Sequence, residues 1–215
     1  MRLTILIFFV LLLNLANGQD AQTIYDKAYK QLTEGVNAAD VVKTLQTCID
    51  IDTTFEDAYL LRAFVFYKLD DYEAAIKDYD RLLDIHPKHE EALKKRAITK
   101  VRIEDFEGAI EDHNLRLSIA PNNAAAYFDR AYCTGVLGNN EAAIADYSMA
   151  IKINPYYTSA YTNRGVAQLN QFLLENDNRS PNILEAEFIC EDFQKARKLG
   201  DLSASKYLKL YCTDY

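Results

Sequence analysis

Three prolines, Pro87, Pro121 and Pro155, stand 34 residues apart, and the chain upstream of each repeats at the same interval. The segments "AAIKDYDRLLDIHP" (74–87), "GAIEDHNLRLSIAP" (108–121) and "AAIADYSMAIKINP" (142–155) align residue for residue. So do the segments before them, "DAYLLRAFVFYKLDDYE" (57–73), "EALKKRAITKVRIEDFE" (91–107) and "AAYFDRAYCTGVLGNNE" (125–141). Each unit holds two apolar-periodic stretches of helix length with a polar turn between them, such as Asp70-Asp71 or Gly138-Asn139. The proline falls just past the second stretch, where it ends one helix and leads into the next. A helix pair this small cannot bury its apolar face alone, so the period dictates an all-α stack of neighbouring hairpins.

The pattern resembles the tetratricopeptide repeat (TPR), a helix–turn–helix unit of 34 residues. Its aromatic, small, alanine, aromatic and proline places hold Tyr59, Ala63, Ala75, Tyr79 and Pro87 in one unit and Tyr127, Ala131, Ala143, Tyr147 and Pro155 in another. The unit between keeps Ala97, Ala109 and Pro121, but carries Leu93 and His113 at the aromatic places and Arg116 where Ala150 stands in the next repeat. The family's tyrosine late in the first helix is replaced by Phe66, Lys100, Thr134 and Gln168. The resemblance, to exported bacterial TPR proteins in particular, implies a right-handed α-solenoid of about five helix hairpins plus a C-terminal capping helix. Full repeats are expected at 56–87, 90–121 and 124–155. Alanine pairs such as Ala131/Ala143 are expected at helix crossings, where only small side chains let backbones approach.

The edges are less regular. Residues 19–52 form a degenerate hairpin that keeps Tyr25 and Cys48 in register but lacks the arginine and the alanine pair. A fourth unit, 158–201, carries an insertion near 172–182, which is expected to lengthen its first helix and enlarge its turn. Residues 202–215 suit a capping helix over the apolar end of an open stack. Asn178-Arg179-Ser180 is formally a glycosylation sequon, followed by Pro181. At the start, Arg2 and the apolar run "LTILIFFVLLL" (3–13), with small Ala16 and Gly18 before Gln19, suit a cleaved signal peptide over 1–18. The run is shorter than the about 20 residues of a spanning helix. The expectation is export, to the periplasm or the outside, with no membrane span after cleavage. An uncleaved anchor is the alternative.

Losing Met1–Gly18 removes one arginine and no acid, moving the net charge from −8 to −9. That balance disfavours nucleic-acid binding, which needs clustered cations. Three histidines, with His86 and His89 around Pro87, fall short of a metal site of fixed ligand spacing. No phosphate loop or nucleophile motif appears, so the chain is read as a non-enzyme without cofactor or metal. Cys190 and Cys212 lie 11 residues either side of a bend near Gly200-Asp201. This leaves two outcomes open, a disulfide or two buried thiols. Cys48 and Cys133 read as small apolar residues.

An arginine returns in every first helix: Arg62, Arg96, Arg130 and Arg164. Each has an acid in the following helix: Asp78, Asp112, Asp146 and Asp192. These are read as an inter-helical salt-bridge ladder, with exposed pairs worth about 0.2–1 kcal/mol each. A row of ligand-binding arginines is the alternative.

The resemblance also implies a concave groove lined by first helices that holds a peptide. Carried over residue by residue, the groove set includes Phe64, Tyr67, Lys68, Lys94, Lys95, Ile98, Arg102, Phe128 and Tyr132, with Asn163, Val166 and Asn170 completing the row. Exposed aromatics are favoured interface anchors, and "KHEEALKKRAITKVR" (88–102) is a basic island in an acidic chain. Together they suggest a protein or peptide partner that is acidic with apolar anchors. A solvated helix face is the bland alternative. Some family members clamp a terminal carboxylate with Lys and Asn. Here those places hold Leu60, Phe64, Lys95, Ala125 and Asp129, and only Lys95 suits. The expected function is an exported interaction adaptor without chemistry of its own. A self-assembling envelope component, with oligomers, is the rival.

Overall fold

The computed structural model describes residues 20–176, 181 and 186–212, and among these every regular element is an α-helix. The leader read at 1–18, the sequon at 178–180 and part of the insertion lie outside the described residues. The backbone divides into two compact units, one up to Ile103 and one from Glu104. The first contains α1 (20–33), α2 (Ala38–Ile51), α3 (Glu56–Lys68), α4 (Tyr72–Ile85) and α5 (Glu90–Arg102). The second contains α6 (Phe106–Ile119), α7 (Ala124–Val136), α8 (Asn140–Ile153), α9 (Thr158–Glu175), α10 (Glu187–Lys198) and α11 (Ala204–Tyr211). Within each unit, most packing is between helices that are neighbours in sequence, from α2 on α3 through α4 on α5 and from α6 on α7 through α10 on α11, with a lighter contact of α7 on α9.

The turns inside the hairpins repeat as strictly as the helices. Asp70, Glu104 and Gly138 take left-handed backbone with φ of 58°, 61° and 84°. The residue after each caps the next helix. Asp71 accepts from the amide of Ala74, Asp105 from Gly108 and Asn139 from Ala142, at 2.9–3.1 Å. Each cap satisfies an amide that the first helical turn leaves unpaired.

Ala63, Ala75, Ala97, Ala109, Ala131 and Ala143 are all buried without residual exposure. In the next repeat the first-helix place belongs to Gly165. A Cβ built there would meet the Phe193 ring of α10 at 2.9 Å. That ring cannot yield, being fully buried and stacked on Tyr207 at 4.6 Å. Gly165→Val should therefore lower stability by about 1–3 kcal/mol through overpacking. At Gly135 the added carbon would meet only the Ala143 methyl, at an ordinary 3.5 Å. Gly135→Ala should gain up to about 1 kcal/mol from helix propensity. Paired urea titrations check both signs, and equal effects would show that the α9–α10 approach is not tight.

The first hairpin has no alanine pair, with buried Val41 at the second-helix place, but it does bury one small residue. Ala28 is fully buried, one place off the 34-residue register because the turn at Gly35 lies 35 residues before that at Asp70. Its partner helix is tied back by Cys48, whose thiol donates to the Ala21 carbonyl at 3.2 Å. Burial pushes that thiol up to about 11. At the other end, α9 runs 18 residues where α3, α5 and α7 run 13. Cys190 of α10 and Cys212 after α11 form a disulfide, which closes the open choice in favour of a bridge and pins the cap to α10.

Candidate functional site

The recurring arginines do more than pair with the acid ahead. Arg62 forks onto Asp78 through Nε and Nη2 at 2.8 and 2.6 Å, and its Nη1 donates back to Gln46. Arg130 grips Asp146 twice at 2.7 Å and Asn114 at 2.6 Å. Arg164 grips Asp192 twice at 2.7 Å and Ser148 at 3.0 Å. Arg96 reaches back to Asp80 at 2.6 Å, while Asp112 is fully buried in the second unit. Gln46, Asp80, Asn114 and Ser148 thus form a second 34-residue series, polar but chemically varied, which pairing each arginine with one acid overlooks. Three of the guanidinium groups also lie over a tyrosine one turn back, Tyr59, Tyr127 and Tyr161, at 5.6–5.8 Å. Arginines engaged on so many sides leave no fork for a ligand.

One expectation about the ladder needs correcting. Its carboxylates are not exposed: Asp78, Asp146 and Asp192 keep 5%, 8% and 4% of their surface. Burial pushes the Asp78 and Asp192 carboxyls up, against the pull of their arginines.

A second buried polar group marks the irregular repeat. His113 and Arg116 stand on α6 where the next repeat has Tyr147 and Ala150, and both are almost fully buried. Arg116 Nη1 lies 3.1 Å from His113 Nδ1 and 3.3 Å from the Asp129 carboxylate. The contact suits a neutral imidazole accepting from the guanidinium. Burial, and next the charge of Arg116, pull His113 down to about 4. His86 and His89 share Glu56 at 2.7 and 3.4 Å, and His89 caps α5. Among the described residues no group of three or more metal-ligating side chains comes together.

A surface with the form of a binding site lies along the first helices. In the first unit, helical spacing puts Leu60, Phe64, Tyr67 and Lys68 of α3 opposite Lys95 and Ile98 of α5. They line two hollows of about 250 and 240 Å³ that share Phe64, Lys95 and the Tyr79 floor. Phe64 and Ile98 are each 38% exposed. Asp57 and Glu91 border the hollow nearer Tyr25, and Lys68 borders the other, so the trough carries acids toward one end and a cation at the other. Each hollow is smaller than the about 300–1,000 Å³ typical of small-molecule pockets. A shallow trough of this kind fits an extended chain better than an enclosed ligand. In the second unit, Tyr132 and Val136 of α7 face Asn163, Val166 and Asn170 of α9 across an uncharged hollow of about 260 Å³.

Three expected groove residues line none of these hollows. Phe128 stacks on Tyr157 at 4.8 Å and leans on Tyr147, so its ring is part of the core. Arg102, in the last turn of α5, turns toward the start of α4, where it donates to the Tyr72 hydroxyl and lies over its ring. Lys94 pairs with Glu91 beside the trough. The basic island therefore disperses in three dimensions, since successive residues on a helix point about 100° apart. Lys95, 3.5 Å from Glu91, is the cation of that stretch that reaches the trough.

Two family descriptions match the chain: tetratricopeptide repeat over residues 56–99 and TPR repeat over 137–171. None of the curated proteins matches it. Among solved structures, a crystal structure of YrrB, described as a TPR protein with an unusual peptide-binding site, superposes with a TM-score of 0.70 at 17% identity. The alignment covers 90% of this chain and 94% of that one. MamA (41–end) from Desulfovibrio magneticus RS-1 superposes at 0.69 with 17% identity over 83% of this chain and 94% of that one. At such identity the likeness is one of fold.

Proposed function

The chain is a tetratricopeptide-repeat protein, and we propose that it is an exported scaffold that holds a polypeptide segment along the Phe64–Lys95 trough. Proteins of this family bind protein or peptide partners and are generally non-catalytic adaptors. The observation that carries the reading is the trough itself: half-exposed Phe64 and Ile98 beside Lys68 and Lys95, over a buried tyrosine floor. A partner segment with bulky apolar side chains and a carboxylate toward Lys68 and Lys95 satisfies it. The peptide-binding site named for YrrB supports the same use of the fold. Export is supported by the apolar run at 3–13 and by the Cys190–Cys212 bridge, a bond that persists in oxidising compartments. No helix among the described residues is long and apolar enough to cross a membrane.

Peptides selected on the folded chain from a random display library test this. Those carrying aromatic or aliphatic anchors with an acid should predominate. Phe64→Ala with Lys95→Glu should weaken them by more than about tenfold, as loss of a hot-spot anchor and its charge does, with the melting temperature nearly unchanged. Selected peptides indifferent to both substitutions would exclude the trough. Light scattering addresses the rival, since mass rising with concentration would favour self-assembly.

A further inference from the structure

The second unit divides its charge unevenly along the chain. Residues 104–193 hold fourteen acids and five bases, whereas residues 194–215 hold five bases and two acids. Of the five earlier bases, Arg116, Arg130 and Arg164 are committed to carboxylates. The five later ones, Lys195, Arg197, Lys198, Lys206 and Lys209, stand on α10 and α11 and are exposed. Three of them converge. Gln194, Arg197 and Lys198 of α10 and Ser205, Leu208 and Lys209 of α11 line one open recess of about 540 Å³. The attraction of cations to helix C-termini explains why each sits in a last turn. It does not explain why side chains of two different helices share a hollow. Cys212 also lines the recess, and its bond to Cys190 fixes the two helices that form the walls.

We propose that this recess is a second docking site, separate from the trough, for an acidic segment of another polypeptide. Charge complementarity selects the occupant: three cations with an amide and a hydroxyl, around Leu208 and the disulfide, make a lining rich in donors, which matches carboxylates. A guanidinium can hold one carboxylate by two parallel bonds, while the lysines supply adjustable charge. A membrane surface fits less well. Amphipathic surfaces that enter lipid present a broad apolar face together with their cations, whereas the recess holds one leucine, the partly buried Leu208, and the well-exposed Leu202 and Leu210 of the cap lie outside its lining. The acidic remainder of the unit repels anionic partners elsewhere, which confines attraction to this end.

The test uses the intact, oxidised chain and a fluorescent ten-residue peptide of alternating Glu and Ser, followed by anisotropy, with a Gln/Ser peptide as control. Binding should appear at low salt, fade as salt is raised, and be absent for the control. Arg197→Glu with Lys198→Glu and Lys209→Glu should weaken it by at least about tenfold, as reversal of close charge pairs does. All three side chains are exposed, so circular dichroism and melting should be retained. Phe64→Ala with Lys95→Glu should leave this binding intact, which separates the recess from the trough. The proposal is overturned if the triple reversal leaves affinity unchanged, if the trough variant abolishes binding, or if the control peptide binds equally. It also fails if phosphatidylserine vesicles capture the chain through these cations while the acidic peptide does not bind.

Discussion

Arg164→Ala should cost about 3 kcal/mol, at the level of a broken buried ion pair rather than a surface one. The substitution leaves Asp192 with 4% of its surface exposed and without the two 2.7 Å bonds that hold it. Burial already pushes that carboxyl up while Arg164 is present. Without the arginine only the desolvation remains, so the group must be buried charged or take up a proton. Arg164 keeps 22% of its own side-chain surface, which places the expected loss at the lower end of the range for fully buried pairs. In thermal unfolding this is a fall of roughly 6–12 °C for a chain of this size. The control is Arg164→Leu with Asp192→Leu, which removes both charges and should lose much less, because replacing a buried pair with apolar groups is often neutral. If the single and double variants fall equally, the arginine matters through packing on Tyr161 and not through the orphaned acid.

How far this ladder could be foreseen shows what a sequence exposes. The 34-residue period located Arg164 and Asp192 in spite of the insertion between them, because both residue types recur and recurrence is visible in letters. Burial of the carboxylates was not visible, since an aspartate in an amphipathic helix looks the same at the edge of the apolar face as on the solvent side. The backward contacts were hidden for another reason. Gln46, Asp80, Asn114 and Ser148 share position and hydrogen-bonding capacity but not identity, so no letter repeats. The groove divided in the same way. Phe64, Lys95 and Ile98 were implied by the family resemblance, and the structure lines a trough with them. Arg102 and Phe128 went elsewhere because Tyr72 and Tyr147, on other helices, and Tyr157, just before α9, offered them partners. The recess on α10 and α11 depends on the fold-back at Gly200, with φ of 102°. Only after that bend do Arg197 and Lys209 share a hollow.

The irregular repeat should make the protein acid-sensitive well above the pH at which carboxylates titrate. His113 is neutral in the fold, pulled from 6.5 to about 4 by burial and by Arg116. Unfolding frees it to bind a proton near 6.5. Above that pH neither state is protonated and the group contributes no pH dependence. As pH falls from 6.5 toward 4, only the unfolded chain gains the proton, so stability drops, and the drop levels off once the folded form protonates as well. A difference of about 2.5 units corresponds to about 3 kcal/mol. The geometry agrees in sign, because a protonated ring would lose the accepting Nδ1 that faces Arg116 at 3.1 Å and would set two cations together in the core. Asp112, next to His113, opposes the shift, and Arg130 reinforces it. The raised Asp78 and Asp192 carboxyls act the other way at lower pH, since protonating them relieves a buried charge. The comparison must therefore be between variants. His113→Asn keeps an acceptor for Arg116 but cannot titrate. It should lower stability at neutral pH and flatten the decline between pH 7 and about 4.5, the window His113 dominates, so that the gap to the unchanged chain narrows as pH falls. Urea midpoints across that range decide the matter: parallel curves for the two chains would mean that a group other than His113 senses the acid.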